Sequence, residues 1–352
     1  MESVVSTSSV QIGSRLVGSG HKAYIIAEMS ANHNGNFDYA VNMIKEMSMC
    51  GADAVKIQTF TADSITIDCD SSLFKPRHSQ WAGLNLFKLY EKAAMPFEWQ
   101  PKLKKLADEL SVDFISTPVD SATAVFLDDL VCAYKVASFE LVDIPFLKSL
   151  GAMGKPVILS TGMATLAEIE EAVEAVRSGG TEVVLLKCTS AYPAVPEEAN
   201  LRTIPHLSQA FHCPVGLSDH TKGITVPVAA VALGASVIEK HFMLPDVEGL
   251  DKDFSLTPQE FKDMVDSVRN AEAALGAVHY GPTERELAGG HKSRRSLFVV
   301  KDMEKGEVFS DQNVRSIRPG AGMKPKYFEK VLGKVATRDV ERGTPLSWDL
   351  LG

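Results

Sequence analysis

Disulfide chemistry has little to work with in this chain. Its five cysteines (Cys50, Cys69, Cys132, Cys188 and Cys213) are scattered and odd in number. They form no C-x-x-C pair, so neither a disulfide framework nor a thiolate zinc site is indicated, and a cytoplasmic setting is expected. Long apolar runs are missing too. Nothing approaches the roughly 18 residues of a membrane span, and residues 1–23 read as a Ser/Gly-rich, frayed lead-in without an export-signal core. Positive charge is not in excess: the formal net charge of -9 excludes a general nucleic-acid or membrane-surface role, which needs a basic face. Any anionic ligand must therefore be held by local positive groups. No Gly-x-Gly-x-x-Gly turn follows the first strand, which counts against a doubly wound nucleotide-binding sheet.

What remains is an ordinary globular composition, 45% hydrophobic and 23% charged over 352 residues, enough for one large domain and a small one. Short β-rich runs alternate with amphipathic segments. The strands read as Tyr24–Glu28, Ala54–Gln58, Asp113–Thr117, Ala133–Ser138, Pro156–Thr161, Glu182–Lys187, Pro214–Ser218 and Ser236–His241. Eight βα units in residues 24–277 predict an α/β fold of the TIM (β/α)8 type. Capping boxes at Thr165/Glu168 and Thr257/Glu260 start helices, the second running to about Leu275. Between Gln58 and Pro101 lies an overlong connection carrying Phe60, Phe74, Trp81, Phe87, Tyr90, Phe97 and Trp99, expected to be a lid or substrate wall. Residues 278–293 read as a linker. Residues 294–352 form a small C-terminal domain whose marginal core needs another surface to lean on.

The stretch Val215–Phe242 reads as strand, helix, strand, with Gly234 placed to stop the helix. Parallel strands end on the same side, so His220 and His241 come together at one mouth of the barrel. The two imidazoles either hold a metal or are two hydrogen-bonded strand-end residues. The other strand ends supply Glu28, Lys56, Gln58, Thr117, Lys135, Ser138, Ser160, Ser190, Tyr192 and Ser218. Lys56 and Lys135, enclosed in barrel strands, are expected to bind ligand, whereas Lys187 and Lys240 face either way. Ser160 and Ser218 are either ligand contacts or helix caps. Two histidines leave a divalent ion several open positions, which favours an octahedral ion such as manganese or magnesium over a closed structural zinc site. Carbonyl polarisation beside a phosphate site suggests carbon–carbon bond formation with a phosphorylated nucleophile.

The runs Ile25-Ile-Ala-Glu28-Met-Ser-Ala-Asn-His-Asn-Gly35, Val55-Lys56-Ile-Gln58-Thr, Phe114-Ile-Ser-Thr117-Pro, Ile158-Leu-Ser-Thr-Gly162-Met, Cys188-Thr-Ser-Ala-Tyr192-Pro, Gly216-Leu-Ser-Asp-His220-Thr and Glu239-Lys-His241-Phe together resemble the N-acetylneuraminate (sialic acid) synthase family. Arg318-Pro-Gly-Ala-Gly and Gly333-Lys-Val-Ala-Thr-Arg-Asp resemble its antifreeze-like (SAF) domain. Within the family, Met29-Ser-Ala-Asn-His-Asn-Gly, Ala94-Met-Pro-Phe-Glu98-Trp99 and Val136-Ala-Ser-Phe-Glu140 are similar to the pseudaminic acid branch, with Met95 where Thr is usual. The resemblance implies phosphoenolpyruvate on Lys56, Thr117, Lys135, Ser138, Ser160, Ser190 and Ser218, although the family often has Asn at the position of Ser190. It implies a metal on His220 and His241, with Mn2+ foremost and Mg2+ or Co2+ as alternatives. Glu28 would activate the water that adds to the enol-derived carbon. Gln58, Tyr192, Asp251 and Arg318 would face a diacetamido-trideoxy hexose, Arg318 from the partner subunit of a domain-swapped homodimer. A metal-dependent aldolase and a carbohydrate-binding protein are the rival readings.

Overall fold

The computed structural model describes residues 9–76, 84–245, 249–288 and 293–352, so Trp81 and the linker residues Gly289–Lys292 lie outside it. The chain divides into two compact units, Met1–Gly276 and Ala277–Gly352. The first opens with a hairpin of β1 (Ser9–Ile12) and β2 (Arg15–Gly18). Eight parallel strands follow: β3 (Tyr24–Glu28), β4 (Ala54–Thr59), β5 (Asp113–Pro118), β6 (Tyr134–Val136), β7 (Val157–Ser160), β8 (Val183–Cys188), β9 (Val215–Asp219) and β10 (Val237–His241). They close into a barrel in which β10 pairs with β3. Every strand the sequence suggested is present, with ends shifted by a residue or two.

Side chains alternate across each strand, and the two faces meet different cores. Tyr24, Ile26, Ala54, Ile115, Ala133, Ile158, Val184, Leu186 and Val237 fill the barrel interior toward its N-terminal end. Ile25, Ala27, Val55, Ile57, Phe114, Val136, Leu159, Leu185, Leu217 and Ile238 face outward and pack with the helices. The N-terminal residues 9–18 are not a frayed lead-in. Val10, Ile12 and Val17 belong to the interior cluster, and the salt bridge Arg15–Asp53 at 2.7 Å fixes the hairpin to the barrel. Alternating Val10 and Ile12 against Val17 supplies one apolar hairpin face, which the Ser/Gly-rich surroundings mask in the sequence.

The helices start as their caps direct. Thr165 and Thr257 both form complete capping boxes, the second opening the helix Pro258–Leu275. The helix Thr225–Ala232 ends at a turn where Gly234 has φ +94°, a conformation only glycine adopts freely. The long β4–β5 connection is a chain of short helices, Ala62–Ile65, Leu86–Ala93 and Gln100–Glu109, rather than an open loop. Its aromatics have packing partners: Phe60 meets Tyr90 at 6.0 Å, Phe97 meets Phe126 at 4.8 Å, and Trp99 meets Phe37 at 5.4 Å and His33 at 5.8 Å between centroids. The second unit pairs β11 (Ser296–Val299) with β12 (Val314–Ile317) over a core of Leu297, Val299, Phe309, Val314, Val331, Leu346 and Leu350.

Candidate active site

The period that buries Tyr24, Ile26 and Val237 inside the barrel also decides which strand-end residues enter its C-terminal mouth. Counting two residues at a time brings Glu28, Lys56, Gln58, Thr117, Lys135, Ser160, Cys188, Ser218, Glu239 and His241 inward. The ladder sets them side by side, with Glu28 opposite both Lys56 and His241, and Gln58 opposite Thr117. The Lys56 ammonium pairs with the Glu28 carboxylate, donates to Thr117 Oγ1 at 3.1 Å and lies 3.5 Å from Glu239 Oε1. Lys135 lies 3.5 Å from the same Glu239 oxygen, and Ser218 Oγ donates to it at 3.5 Å.

Glu239 is the site residue that the sequence reading missed. It stands in a run quoted only as a motif, yet it shares its parity with His241, which was the available signal. Burial opposes its ionisation, but Lys135 and Lys56, followed by the two histidines, hold its carboxyl well below the usual range. Burial disfavours the Lys56 ammonium, and Glu239 and Glu28 outweigh that to raise its pKa. For Lys135, burial wins over Glu239 and its pKa is lowered. Two lysines and two carboxylates are thus fully buried in one layer. Charges so placed are costly to bury unless paired, and here each lysine faces a carboxylate.

Hydroxyls complete the wall. Gly162 N donates to Ser138 Oγ at 3.0 Å. A side chain at Gly162 would clash, its Cβ falling 2.2 Å from Ser190 Oγ and 2.7 Å from Ser138 Oγ, so the glycine lets these two serines converge. Ser160 and Ser218 are not helix caps, since Thr165 and Ile224 occupy those positions. Ser160 Oγ is buried and has no hydrogen-bond partner among the described residues. Lys187 and Lys240 face away from the interior. The first donates to Cys188 O at 2.8 Å and Thr189 Oγ1 at 3.0 Å, and the second pairs with Asp219.

His220 and His241 are both buried, with ring centroids 5.3 Å apart. His220 Nδ1 donates to Thr189 O at 3.0 Å, which fixes the tautomer and leaves Nε2 its lone pair. Burial disfavours its imidazolium, but contact with Cys188 and the Thr189 carbonyl raises its pKa, while the same contact holds the Cys188 thiol at about 7 against burial. His241 Nδ1 is buried without a hydrogen bond and lies 3.6 Å from Asp251 Oδ2. Phe254, another residue with no motif to announce it, packs against His241 at 4.8 Å and His220 at 5.9 Å, and Tyr192 stacks on His220 at 4.4 Å.

These donors fit a divalent cation: one imidazole whose Nε2 keeps its lone pair, and a second buried imidazole with Asp251 beside its Nδ1. Among the described residues no cluster of three or more His, Cys, Asp or Glu is assembled, so a cation held here takes further ligands from water or substrate. Of the residues expected to face a sugar, Gln58 donates to Ser30 Oγ at 3.1 Å, and Asp251 N donates to Asn32 Oδ1 at 3.2 Å. Arg318 belongs to the other compact unit. It follows β12 in the second unit, exposed and without an ion-pair or hydrogen-bond partner among the described residues.

Comparison with known proteins gives the arrangement a context. Residues 43–280 match the NeuB family and residues 294–352 the SAF domain. The chain is 44% identical over 331 residues to the pseudaminic acid synthase of Campylobacter jejuni, covering 92% of this chain and 95% of that protein. It is 38% identical over 328 residues to the pseudaminic acid synthase of Helicobacter pylori, covering 92% and 96%. Among solved structures, the sialic acid synthetase of Leptospira borgpetersenii serovar Hardjo-bovis in complex with citrate has a TM-score of 0.70 and 29% identity, covering 80% of this chain and 95% of that one.

Proposed function

The chain belongs to the NeuB family, and from that premise we propose that it is a pseudaminic acid synthase. It would condense phosphoenolpyruvate with 2,4-diacetamido-2,4,6-trideoxy-altrose and water to give pseudaminic acid and phosphate. The observation that carries this reading is the buried layer of Lys56, Lys135, Glu28 and Glu239 beneath two histidines, in a chain 44% identical to a pseudaminic acid synthase.

Lys56 and Lys135 neutralise the phosphate and carboxylate of phosphoenolpyruvate, and Thr117, Ser138, Ser160, Ser190 and Ser218 supply hydroxyls to its oxygens. His220 and His241 would hold a divalent cation such as Mn2+, which would supply Lewis-acid polarisation of the sugar aldehyde. The enol carbon of phosphoenolpyruvate bonds to that aldehyde carbon, leaving positive charge on the carbon that bears the phosphate. Glu28 takes one proton from the water whose oxygen adds there. The tetrahedral product loses the other water proton as its C–O bond to phosphate breaks, leaving a keto group, and the two protons end on the former aldehyde oxygen and on the released phosphate. Gln58, Tyr192 and Asp251 border the space for the sugar. The unpartnered Arg318 and the small core of its unit support a domain-swapped homodimer in which Arg318 serves the partner's sugar site.

Phosphate release from phosphoenolpyruvate with Mn2+ tests the reading, comparing the altrose sugar, its legionaminic-type diacetamido counterpart and N-acetylmannosamine before and after chelation. Metal-dependent release with the altrose sugar alone is expected. Release with another of the three reassigns the substrate, and no release with any returns the aldolase.

A further inference from the structure

We infer that Lys240 and Asp219 form a positioning pair that sets the spacing of His220 and His241, and thereby the strength with which the two histidines hold a divalent cation. The inference rests on the metal reading proposed above. Each residue of the pair adjoins one histidine in the chain, Asp219 before His220 and Lys240 before His241. The two stand opposite each other in the β9–β10 ladder. Their side chains leave the strands on the face away from the interior, so holding them there turns the next residue of each strand toward the mouth.

The bonding extends past the strand ends. Lys240 Nζ lies 2.5 Å from Asp219 Oδ2 and donates also to the Thr221 carbonyl, which follows His220. Asp219 in turn accepts from Thr221 N at 3.1 Å and from Thr221 Oγ1 at 2.9 Å. His220 is therefore bracketed on both sides by groups that one lysine, rooted next to His241, ties together. All of them are buried: Lys240 is 0% exposed, Asp219 2% and Thr221 2%.

Stability alone does not account for this arrangement. A buried ion pair loses solvation that its mutual attraction only partly restores, and a well-packed apolar pair at the same place is commonly as stable or more so. What an apolar pair lacks is direction. Hydrogen bonds from one ammonium to a carboxylate and a carbonyl fix both strand ends in register. Groups that hydrogen-bond the ligand side chains themselves alter metal affinity by about 10- to 100-fold when removed, and this pair acts one bond further out, through the strand ends.

Cobalt(II) binding to chelated full-length protein, followed by visible absorption, tests the inference in wild type, His220→Ala and the double variant Asp219→Asn/Lys240→Met. Asn keeps an acceptor for Thr221, and Met fills the lysine's volume without its charge. The double variant is expected to bind cobalt several-fold more weakly with shifted bands. Its affinity for phosphoenolpyruvate without metal should stay at the wild-type value, because Lys56 and Lys135 face the other side. Unchanged cobalt affinity and spectrum in the double variant would overturn the positioning role. Wild type binding no tighter than His220→Ala would overturn the metal reading and the inference with it. Should the double variant not fold, Thr221→Val removes only the hydroxyl bonds to Asp219. A several-fold loss of cobalt affinity is then expected, and none would count against the pair.

Discussion

Glu239 stands with its carboxylate between two lysines that we propose receive the anionic substrate. Its presence keeps the unliganded layer near neutrality, and the acidity of that carboxyl ties the layer to the stability of the barrel. Because its pKa in the folded protein lies below the ordinary value of 4.5, the stability it contributes is complete above that value. It is then lost as the pH falls through the acidic range toward the folded value. In metal-free protein the melting temperature should therefore drop on going from about pH 5 to pH 3, and Glu239→Gln should flatten that slope while lowering stability at neutral pH. A slope unchanged by the substitution would assign the acid sensitivity to another carboxylate. Most of the residues at this mouth were legible in the sequence because polar side chains at inward-facing strand ends break apolar runs, whereas Lys187 and Lys240 on the opposite parity turn outward. Glu239 was not, because two charged residues in succession, Glu239 and Lys240, hide which of them faces inward until the strand's phase is anchored by His241.

At the scale of elements, the eight strands declared themselves because parallel barrel strands are apolar on both faces and are punctuated by capped helices. The hairpin β1–β2 did not, since two four-residue strands amid Ser and Gly carry too little periodicity to separate from a loose terminus. Its burial gives it a measurable role. Ile12 is 0% exposed and lies among the residues that fill the lower barrel. Ile12→Ala should cost about 2–5 kcal/mol of unfolding free energy in a urea titration, the range for emptying a core position of that size. Substrate constants should be unchanged, because the hairpin plugs the end of the barrel opposite the mouth. Stability equal to wild type would mean that residues 9–18 leave the barrel readily in solution. The β4–β5 connection offers the converse case: its aromatics did signal order, and in the described residues that order is short helices whose rings pack on one another and on Phe37 and Phe126.

For the molecule as a whole, the chemistry is concentrated in the barrel while one expected sugar contact, Arg318, resides in the other unit. That unit buries a core of its own, yet presents Arg318 to solvent with no carboxylate beside it among the described residues. An unpaired guanidinium is a fitting donor for an acyl oxygen or carboxylate on a ligand. If Arg318 serves the partner's site in a homodimer, two defects on different chains can complement each other. Arg318→Ala should raise KM for the sugar more than it lowers kcat, since the residue binds substrate away from the reacting carbons. Glu28→Ala should abolish turnover. When the two variants are co-refolded or exchanged at equal amounts, about half the dimers are mixed, and one site in each carries both wild-type residues. Activity at low sugar concentration should then rise to roughly a quarter of the wild-type value, the share of sites so restored, above the sum of the separate variants. Additive activity with no recovery, in a preparation shown to contain mixed dimers, would place Arg318 at the mouth of its own chain's barrel or away from the sugar altogether.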